Sequence, residues 1–185
     1  METQKLHLEE ILSYEQPTKY IVSSSVYSGN TTQTAVLTAG KTFILGYTGE
    51  KNGVFPKEKL PVIIFDDFTT ATKYVDFPFK VKSSAMKILH IDIKKADPRY
   101  LFYLLQSITF PVKKHKRHWI SEYSKIEVDL PPVSEQKRVA KKLDDALSTL
   151  DVKIGVVSDL LLKQKALFGG LRSAVLRATF NTKNK

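Results

Sequence analysis

The first feature of this sequence that could do chemistry is a basic run, PVKKHKRHW, at residues 111–119. It contains no acidic residue. Its candidate contact residues are Lys113, Lys114, His115, Lys116, Arg117 and His118. Clustered cations suit contacts to nucleic-acid phosphates, with the histidines as further donors. A solvated basic loop is the alternative, and the clustering favours DNA contact. We expect Trp119 to pack inside the domain rather than stack on a base.

Two other segments, GYTGEKNGVF and DDFTTATKYV, carry side chains that could meet the edges of bases. Their candidates are Lys51, Asn52, Thr69, Thr70, Lys73 and Tyr74. Asparagine can bind adenine through two hydrogen bonds, and lysine can reach guanine in the major groove. For each single residue a structural role is the stronger interpretation. A turn explains Asn52, strand propensity explains Thr70 and Tyr74, and loop capping explains the Asp66-Asp67 pair.

Enzyme chemistry has weaker support. Asp92 and Lys94 in IDIKK, with Asp76 upstream, could form a metal-dependent nuclease site, although short D-x-K matches arise by chance in a lysine-rich chain. The alternation in ILHIDIK is explained more simply by a half-exposed strand. Adenine methyltransferase and serine hydrolase motifs are absent from the sequence. Without cysteine or suitably spaced histidines, we predict no metal site.

The composition indicates what kind of partner the chain binds. The 185 residues carry a net charge of +10, and 42% are hydrophobic, which allows an ordinary globular core. The charge is +4 over residues 1–133 and +6 over residues 134–185. Nucleic acid is the obvious polyanionic partner. No apolar run could span a membrane and no signal peptide is evident, so we expect a cytoplasmic protein that does not bind membranes.

Up to residue 133 the apolar runs are short and bounded by Gly, Pro, Asn and Asp. The segments YIVSSSVY, TFILGYT, LPVIIFDDF and AMKILHIDI predict strands. The dipeptide Asn52-Gly53 predicts a turn between antiparallel strands. A helix is predicted over Pro98–Ile108, with Asp97 as its N-cap.

From Ser134, which is predicted to be an N-cap, a heptad repeat persists for six heptads, with eleven of twelve a and d positions apolar. The predicted interface residues are Leu143, Leu147, Leu150, Ile154, Val157, Leu161, Phe168, Leu171 and Val175. Such a helix would be about 65–70 Å long, too long to bury its apolar stripe on its own domain. Gly169-Gly170 is either tolerated or a break between two shorter helices.

Three segments in order resemble the specificity subunits of type I restriction–modification systems. They are TFILGYTGEKNGVF followed by VIIFDDFTTATKYVDFPFKVKSSAMKIL, then HKRHWISEYSKIEVDLPPVSEQ, and LPPVSEQKRVAKKLDDALSTLD. Together they cover about residues 38–150. Each segment alone is moderately specific, but their shared order makes the resemblance strong.

The resemblance implies an α+β fold, in which a mixed, mainly antiparallel target-recognition domain precedes a long coiled-coil helix. The corresponding ranges are 1–133 for the domain, 134–180 for the helix and 181–185 for a polar tail. Subunits of this family have no catalytic centre and no cofactor. Each recognition domain binds one half of a split DNA sequence, and the helices dock adenine methyltransferase subunits that bind S-adenosylmethionine. Restriction subunits can join the assembly.

This chain has one recognition domain and one long helix, whereas most members of the family have two of each. It is therefore a half subunit or a fragment of a longer protein. As a half subunit, two copies could pair their helices antiparallel and bind a palindromic split target. The nuclease and a coiled-coil adaptor without DNA remain the alternative functions.

Overall fold

The structure is a computed structural model that describes residues 3–38, 42–111 and 117–181, with side chains of the last helix described as far as residue 171. The described residues form two α-helices, α1 (Pro98–Ser107) and α2 (Val133–Asn181), with short 3-10 helices between strands. The strands are β1 (Gln4–His7), β2 (Leu12–Glu15), β3 (Thr34–Leu37), β4 (Ile44–Thr48), β5 (Val62–Asp66), β6 (Thr72–Val75), β7 (Phe79–Val81), β8 (Met86–Ile91) and β9 (Glu127–Leu130).

The strands form three sheets. The central sheet is antiparallel in the order β2-β8-β5-β6. A second sheet has the order β4-β3-β7, in which β3 pairs antiparallel with β4 and parallel with β7. The third is an antiparallel pair of β1 and β9. The predicted mainly antiparallel domain is therefore present.

Both faces of the central sheet are buried. Ile63, Phe65 and Leu89 belong to a core shared with α1, Trp119 and the β1-β9 pair. Their strand neighbours, including Ile64 and Ile88, belong to a second core shared with the β4-β3-β7 sheet. The strand predicted at ILHIDIK is present as far as Ile91, but the predicted alternation is not observed. Ile88 and Leu89 are both buried, on opposite faces of the sheet, and the segment becomes exposed only after the strand has ended.

Two predictions about the segments around the second sheet are also wrong. Residues 20–27 form no strand, because the N–H groups of Ser23 and Ser24 donate to the Glu50 carboxylate instead of to a neighbouring strand. The Asn52-Gly53 turn exists, with Gly53 at φ +65°, but β4 before it and β5 after it lie in different sheets. Local turn chemistry identified the bend and not the strands that pair.

Helix α1 is present where the sequence predicted it. The Asp97 carboxylate accepts hydrogen bonds from the N–H groups of Arg99 and Tyr100, and Pro98 occupies the first helical position. The Asp97 N-cap is therefore confirmed. Because Leu101 and Leu105 are buried, the amphipathic face of α1 covers one side of the central sheet.

The start of α2 is fixed to the globular unit by one buried amide. Gln136 is fully buried; its Oε1 accepts from the N–H of Asp97 at 2.8 Å, and its Nε2 donates to the carbonyl oxygens of Pro131 at 2.8 Å and Lys95 at 3.2 Å. The helix begins at Val133, since the Pro132 carbonyl already accepts from Gln136 N. Ser134 is therefore inside the first turn, and its prediction as the N-cap is wrong.

Beyond Ala140 the chain forms a second compact unit, Lys141–Lys185, and α2 passes through Gly155 and Gly169-Gly170 without a break. The described interface residues are all exposed, with exposed fractions from 38% at Leu143 to 62% at Ile154. Other apolar side chains on α2 are exposed as well, at Val152, Val156 and Leu162. Among the described residues, no helix combines the length and hydropathy needed to cross a membrane.

We predict that Gln136→Ala destabilises the globular unit by about 2–4 kcal/mol, because one buried N–H and two carbonyl oxygens lose their partner. Urea unfolding followed by Trp119 fluorescence measures this change, since Trp119 is the only tryptophan in the chain. Gln106→Ala is the matched control, because Gln106 is exposed on α1. Equal effects of the two substitutions would show that the amide contacts do not hold α2 to the unit.

Candidate nucleic-acid interface

The β5-β6 hairpin brings several sequence-predicted candidates to one end of the globular unit. Its turn, residues 67–71, lies at the end where β5 finishes and β8 begins, because Asp66 pairs with Met86. The loop from β7 to β8 and the end of β3 lie there too, since Leu37 pairs in parallel with Val81. We call five residues at this end the hairpin rim. Phe68, Thr69, Lys73 and Arg117 are exposed, and Thr70 is partly exposed.

The Asp66 side chain shapes the turn of the hairpin. Its Oδ1 accepts hydrogen bonds from the N–H groups of Phe68 at 2.9 Å and Thr69 at 3.3 Å. The N–H of Thr70 donates to the Asp66 carbonyl, and Thr70 adopts a positive φ of 60°. The loop-capping role predicted for Asp66 is confirmed. The turn thereby directs Phe68 and Thr69 outward, with Phe68 more than one-third exposed.

Asp67 and Lys87 form a buried ion pair beneath the rim. Both side chains are almost fully buried, and the Lys87 Nζ lies 3.5 Å from Asp67 Oδ2. The other carboxylate oxygen of Asp67 accepts from the N–H groups of His118 and Trp119, at 3.2 and 2.9 Å. The carboxylate therefore fixes the end of the basic run to the hairpin.

The described residues at the end of the basic run differ in exposure to solvent. Arg117 is exposed, with its guanidinium 5.7 Å from the Phe68 ring centroid. His118 is fully buried and packs edge-on against Phe110, so its ring is not part of the described surface. Trp119 is only 2% exposed and contacts Phe65, as predicted for a core residue. The remaining basic-run candidates, Lys113, Lys114, His115 and Lys116, lie outside the described residues.

An aromatic cluster supports this anchor from the core side. The Tyr123 ring lies 4.8 Å from Phe65 and 6.1 Å from Trp119, measured between centroids. Its hydroxyl donates to the Leu105 carbonyl at 3.2 Å, and burial raises the pKa of Tyr123 to about 12. The phenol therefore stays neutral at physiological pH and acts as a fixed structural group.

Lys73 and Tyr74 point to opposite faces of β6. Lys73 is exposed, with its Nζ 5.9 Å from the Phe43 ring, whereas Tyr74 contacts Phe102 of α1 and the guanidinium of Arg99. This opposition follows from the two-residue period of a strand. Of the two candidates, only Lys73 belongs to the hairpin rim.

Lys51 and Asn52 leave β4 at the other end of the strands, because Thr48 at the end of β4 pairs with Thr34 at the start of β3. Both residues are exposed. Beneath them, the buried Lys80 Nζ donates to the Asn52 carbonyl at 2.6 Å and lies 2.9 Å from Glu50 Oε2. The hydrogen bond from Lys80, together with those from the Ser24 and Ser23 N–H groups, lowers the pKa of Glu50.

The residues proposed for the nuclease alternative do not form a metal site within the described ranges of the chain. Asp92 Oδ1 accepts from the N–H of Lys94, and the Asp92 N–H donates to the Ile11 carbonyl, so Asp92 caps the turn that follows β8. Asp76 follows β6, which β5 separates from β8 in the sheet. In the part of the chain that the structure describes, no three His, Asp or Glu residues are grouped to hold a metal ion. Nothing observed favours the nuclease.

The sequence interpretation missed the two buried lysines, Lys80 and Lys87, and the exposed Phe68. A signal for the lysines was present, since each interrupts an apolar strand, in PFKV and AMKI. A lysine within such a run can be buried only if a carboxylate or carbonyl accepts from its ammonium group. The acceptors lie in loops that are distant in sequence, Glu50 and Asn52 for Lys80 and Asp67 for Lys87, and spacing alone could not identify them.

The architecture corresponds to a known class of domain. A family model described as "Type I restriction modification DNA specificity domain" matches residues 4–155. That range covers most of the chain, and the chain therefore belongs to this family. The resemblance stated from the three sequence segments is confirmed.

Among curated proteins, the chain is 50% identical over 144 residues to the "Type I restriction enzyme EcoR124I/EcoR124II specificity subunit" of Escherichia coli. The match covers 76% of this chain and 35% of that protein, so the chain spans about a third of its relative.

Two crystal structures of S subunits share the fold. One, from M. genitalium, has a TM-score of 0.59 at 15% identity, covering 82% of this chain and 41% of the other. The other, the HsdS subunit of Thermoanaerobacter tengcongensis, has a TM-score of 0.52 at 13% identity, covering 81% and 38%. These likenesses confirm the predicted α+β domain with a long C-terminal helix.

We predict that Asp67→Ala costs about 3–5 kcal/mol, because it leaves the Lys87 ammonium buried without its carboxylate and removes the acceptor of two N–H groups. The emission of Trp119 should shift to longer wavelength as the end of the basic run is released. Chemical unfolding and emission spectra measure both effects. Asp129→Ala removes an exposed carboxylate from β9 as the control. A wild-type spectrum and stability for Asp67→Ala would contradict the anchoring role.

Proposed function

We propose that this chain is a non-catalytic DNA sequence-recognition subunit of a type I restriction–modification system. Each copy binds one half of a bipartite double-stranded DNA target and directs a partner adenine methyltransferase to it. The observation that carries the proposal is the hairpin rim, where Arg117 is held beside the hairpin turn by the buried Asp67–Lys87 pair. The family match indicates that DNA is the expected ligand of this basic surface.

The rim suits DNA because it combines a fixed cation with small hydroxyl groups and an aromatic ring. Arg117 and Lys73 are exposed and can neutralise phosphates, while Thr69 and Thr70 carry hydroxyl groups that can donate or accept. Phe68 offers an apolar edge of the kind that contacts the thymine methyl group. Lys113, Lys114, His115 and Lys116 precede Arg117 in the sequence, and we include their charges in the same interface.

The proposal assigns catalysis to other subunits. The relative in Escherichia coli is named a specificity subunit of a restriction enzyme, and by analogy this chain needs no cofactor of its own. The partner methyltransferase would bind S-adenosylmethionine, and a restriction subunit could join the assembly. Such an assembly acts on DNA in the cytoplasm.

Residues 1–133 form the recognition domain in this proposal, and residues 134–180 form a dimerisation, spacer and docking helix. The apolar residues of the stripe from Leu143 to Leu171 are exposed along a helix in which eleven of twelve a and d positions are apolar. A stripe of this length is stabilised when it packs against a second helix. We propose that two copies pair antiparallel, with Val175, whose side chain lies outside the described residues, extending the same stripe.

The DNA-binding proposal predicts a change in salt dependence when the basic run is neutralised. In an assembly with the methyltransferase subunit, replacing Lys113, Lys114, Lys116 and Arg117 by Ala should weaken binding to all duplexes. Each lost phosphate contact should reduce the slope of log K against log salt by about one. Fluorescence anisotropy at several salt concentrations measures the slope, with a duplex selected by the wild-type assembly from a random-sequence pool.

The matched control replaces four exposed lysines elsewhere, namely Lys5, Lys57, Lys59 and Lys94, by Ala. It removes the same net charge and should leave the slope nearly unchanged, if the basic run is the contact. Identical slopes for the two quadruple variants would remove the run from the interface. Failure of the random pool to yield an enriched sequence would contradict the proposed function itself.

The pairing proposal predicts a dimer in light scattering, with a mass about twice the 21.0 kDa of the chain. Replacing Leu150, Val157 and Leu161 by Asp places charges in the stripe and should give monomers, because a buried unpaired carboxylate is strongly unfavourable.

Val152, Val156 and Leu162 lie off the stripe and are also exposed, which makes their triple replacement by Asp a control that adds the same charge and also removes exposed apolar side chains. The control should remain dimeric. A monomeric wild-type chain at high concentration, or monomers from both triple variants, would contradict antiparallel pairing through the a and d positions.

A further inference from the structure

The loop that follows β4, Gly49–Gly53, is held in one conformation from several directions. Lys80 reaches it from β7, where its ammonium group contacts the Glu50 carboxylate and the Asn52 carbonyl. The same carboxylate accepts from the N–H groups of Ser23 and Ser24. We call this set of contacts the Lys80 network.

The other end of the loop is equally constrained. Gly53 has a φ of +65°, and a Cβ at this position would lie 2.6 Å from the Lys19 carbonyl oxygen. Any residue other than glycine would therefore force the loop to move. The N–H of Glu50 donates to the Thr48 hydroxyl, which fixes the exit from β4. The backbone of the loop is determined at both ends and in the middle.

Burying an ammonium group has a large desolvation cost, so stabilising a small loop does not by itself explain Lys80. Lys80 is only 3% exposed, and removing its charge from water costs more free energy than burying an apolar residue of similar size. The ion pair therefore contributes little net stability, but it allows few alternative conformations of the residues that it contacts. What the Lys80 network does achieve is a defined placement of the two residues between Glu50 and Gly53.

Those two residues, Lys51 and Asn52, present their side chains to solvent. Within the described residues, neither side chain has a hydrogen-bonding or ionic partner, although their backbone is fixed. When the backbone of a loop is already fixed, less conformational entropy is lost as its side-chain donors bind a ligand. Such an arrangement favours recognition over packing.

Lys51 borders a groove of about 500 Å³ whose other lining groups include Gln33, Thr31, Thr32 and Tyr47. Gln33 is itself held in place, since its Oε1 accepts from the Ser28 hydroxyl at 2.6 Å and its amide nitrogen lies beside Gly49. The described lining contains one cation, several hydroxyl groups, two aromatic rings and a few small apolar groups, and no carboxylate. The charge and the donors complement a polyanion with hydrogen-bonding edges.

We propose that the Gly49–Gly53 loop and this groove form a second DNA-contacting site, separate from the hairpin rim. Lys51 and Asn52 meet the duplex there beside Gln33, and Lys80 is a positioning residue that sets the sequence selectivity without touching DNA. The inference rests on the proposed function and deepens it. It divides the half-site between two ends of one domain, toward opposite ends of β3.

The test compares full-length variants assembled with the methyltransferase subunit, on a duplex selected by the wild type from a random pool. Replacing both Lys51 and Asn52 by Ala should weaken binding to that duplex by about tenfold or more. Replacing Lys57 and Lys59 by Ala, two exposed lysines of the neighbouring 3-10 helix, should change affinity less than about threefold. Equal affinities for the two double variants would overturn the second site.

The outcome also separates this inference from the proposed function. If the wild-type assembly enriches no sequence from the pool, the proposed function fails, and the second site fails with it. If the wild type enriches a sequence and the Lys51, Asn52 variant binds that sequence as the wild type does, only the second site fails. Loss confined to this variant supports both.

The positioning role of Lys80 has its own readout. Lys80→Met should lower the ratio of affinities between the selected duplex and single-base variants by about tenfold, while affinity for unrelated duplexes changes little. Because this substitution could disturb folding, Glu50→Gln, which removes the ion pair and keeps the side-chain volume, is measured beside it. A folded Glu50→Gln variant with wild-type selectivity would contradict the positioning role.

Discussion

The structure depends on a simple constraint: a lysine that is buried in a β-sheet must find acceptors for its ammonium group. Lys80 and Lys87 both meet this constraint by contacting a loop rather than another strand. Lys87 holds Asp67, which in turn binds the backbone of His118 and Trp119. Lys80 holds Glu50 and the backbone of Asn52. In each pair, a lysine on a strand of a sheet holds a neighbouring loop in one conformation. The exposed residues of those loops are the ones that we propose to contact DNA.

The long helix obeys a different constraint, which is that apolar surface must be covered. Its first residues are joined to the globular unit by Gln136, whose amide satisfies two backbone groups just before α1 and one just before α2. From Leu143 to Leu171, where the side chains of α2 are described, the apolar a and d positions are exposed. One chain thus combines a unit whose core is complete with a helix whose apolar stripe is uncovered, as expected for a component of a larger assembly.

Much of this fold could be predicted from the sequence, and the failures have identifiable causes. Periodicity predicted α1, α2 and the strands β4, β5 and β8, since each depends on residues that are close in sequence. The strand predicted at residues 20–27 fails because Glu50, distant in sequence, accepts from its N–H groups. The hairpin predicted at Asn52-Gly53 fails because sheet membership depends on long-range packing.

The candidate site was predicted less completely for the same reason. The sequence identified Lys51, Asn52, Thr69, Thr70 and Lys73, and the structure places each of them on an exposed or partly exposed loop or strand. It could not separate Lys73 from Tyr74, because the choice of face depends on where α1 packs. It also gave no means of knowing that His118 is buried while Arg117, its neighbour, is exposed.

The central claim is that loops held by buried lysines contact DNA. Hydrogen–deuterium exchange tests it most directly, measured on the full chain with its methyltransferase subunit, in the presence and absence of a selected duplex. The account predicts that DNA slows exchange in residues 49–53, 66–71 and 117–119, and leaves β1 and β9 unchanged. Slower exchange confined to other segments, with these three loops unaffected, would contradict it.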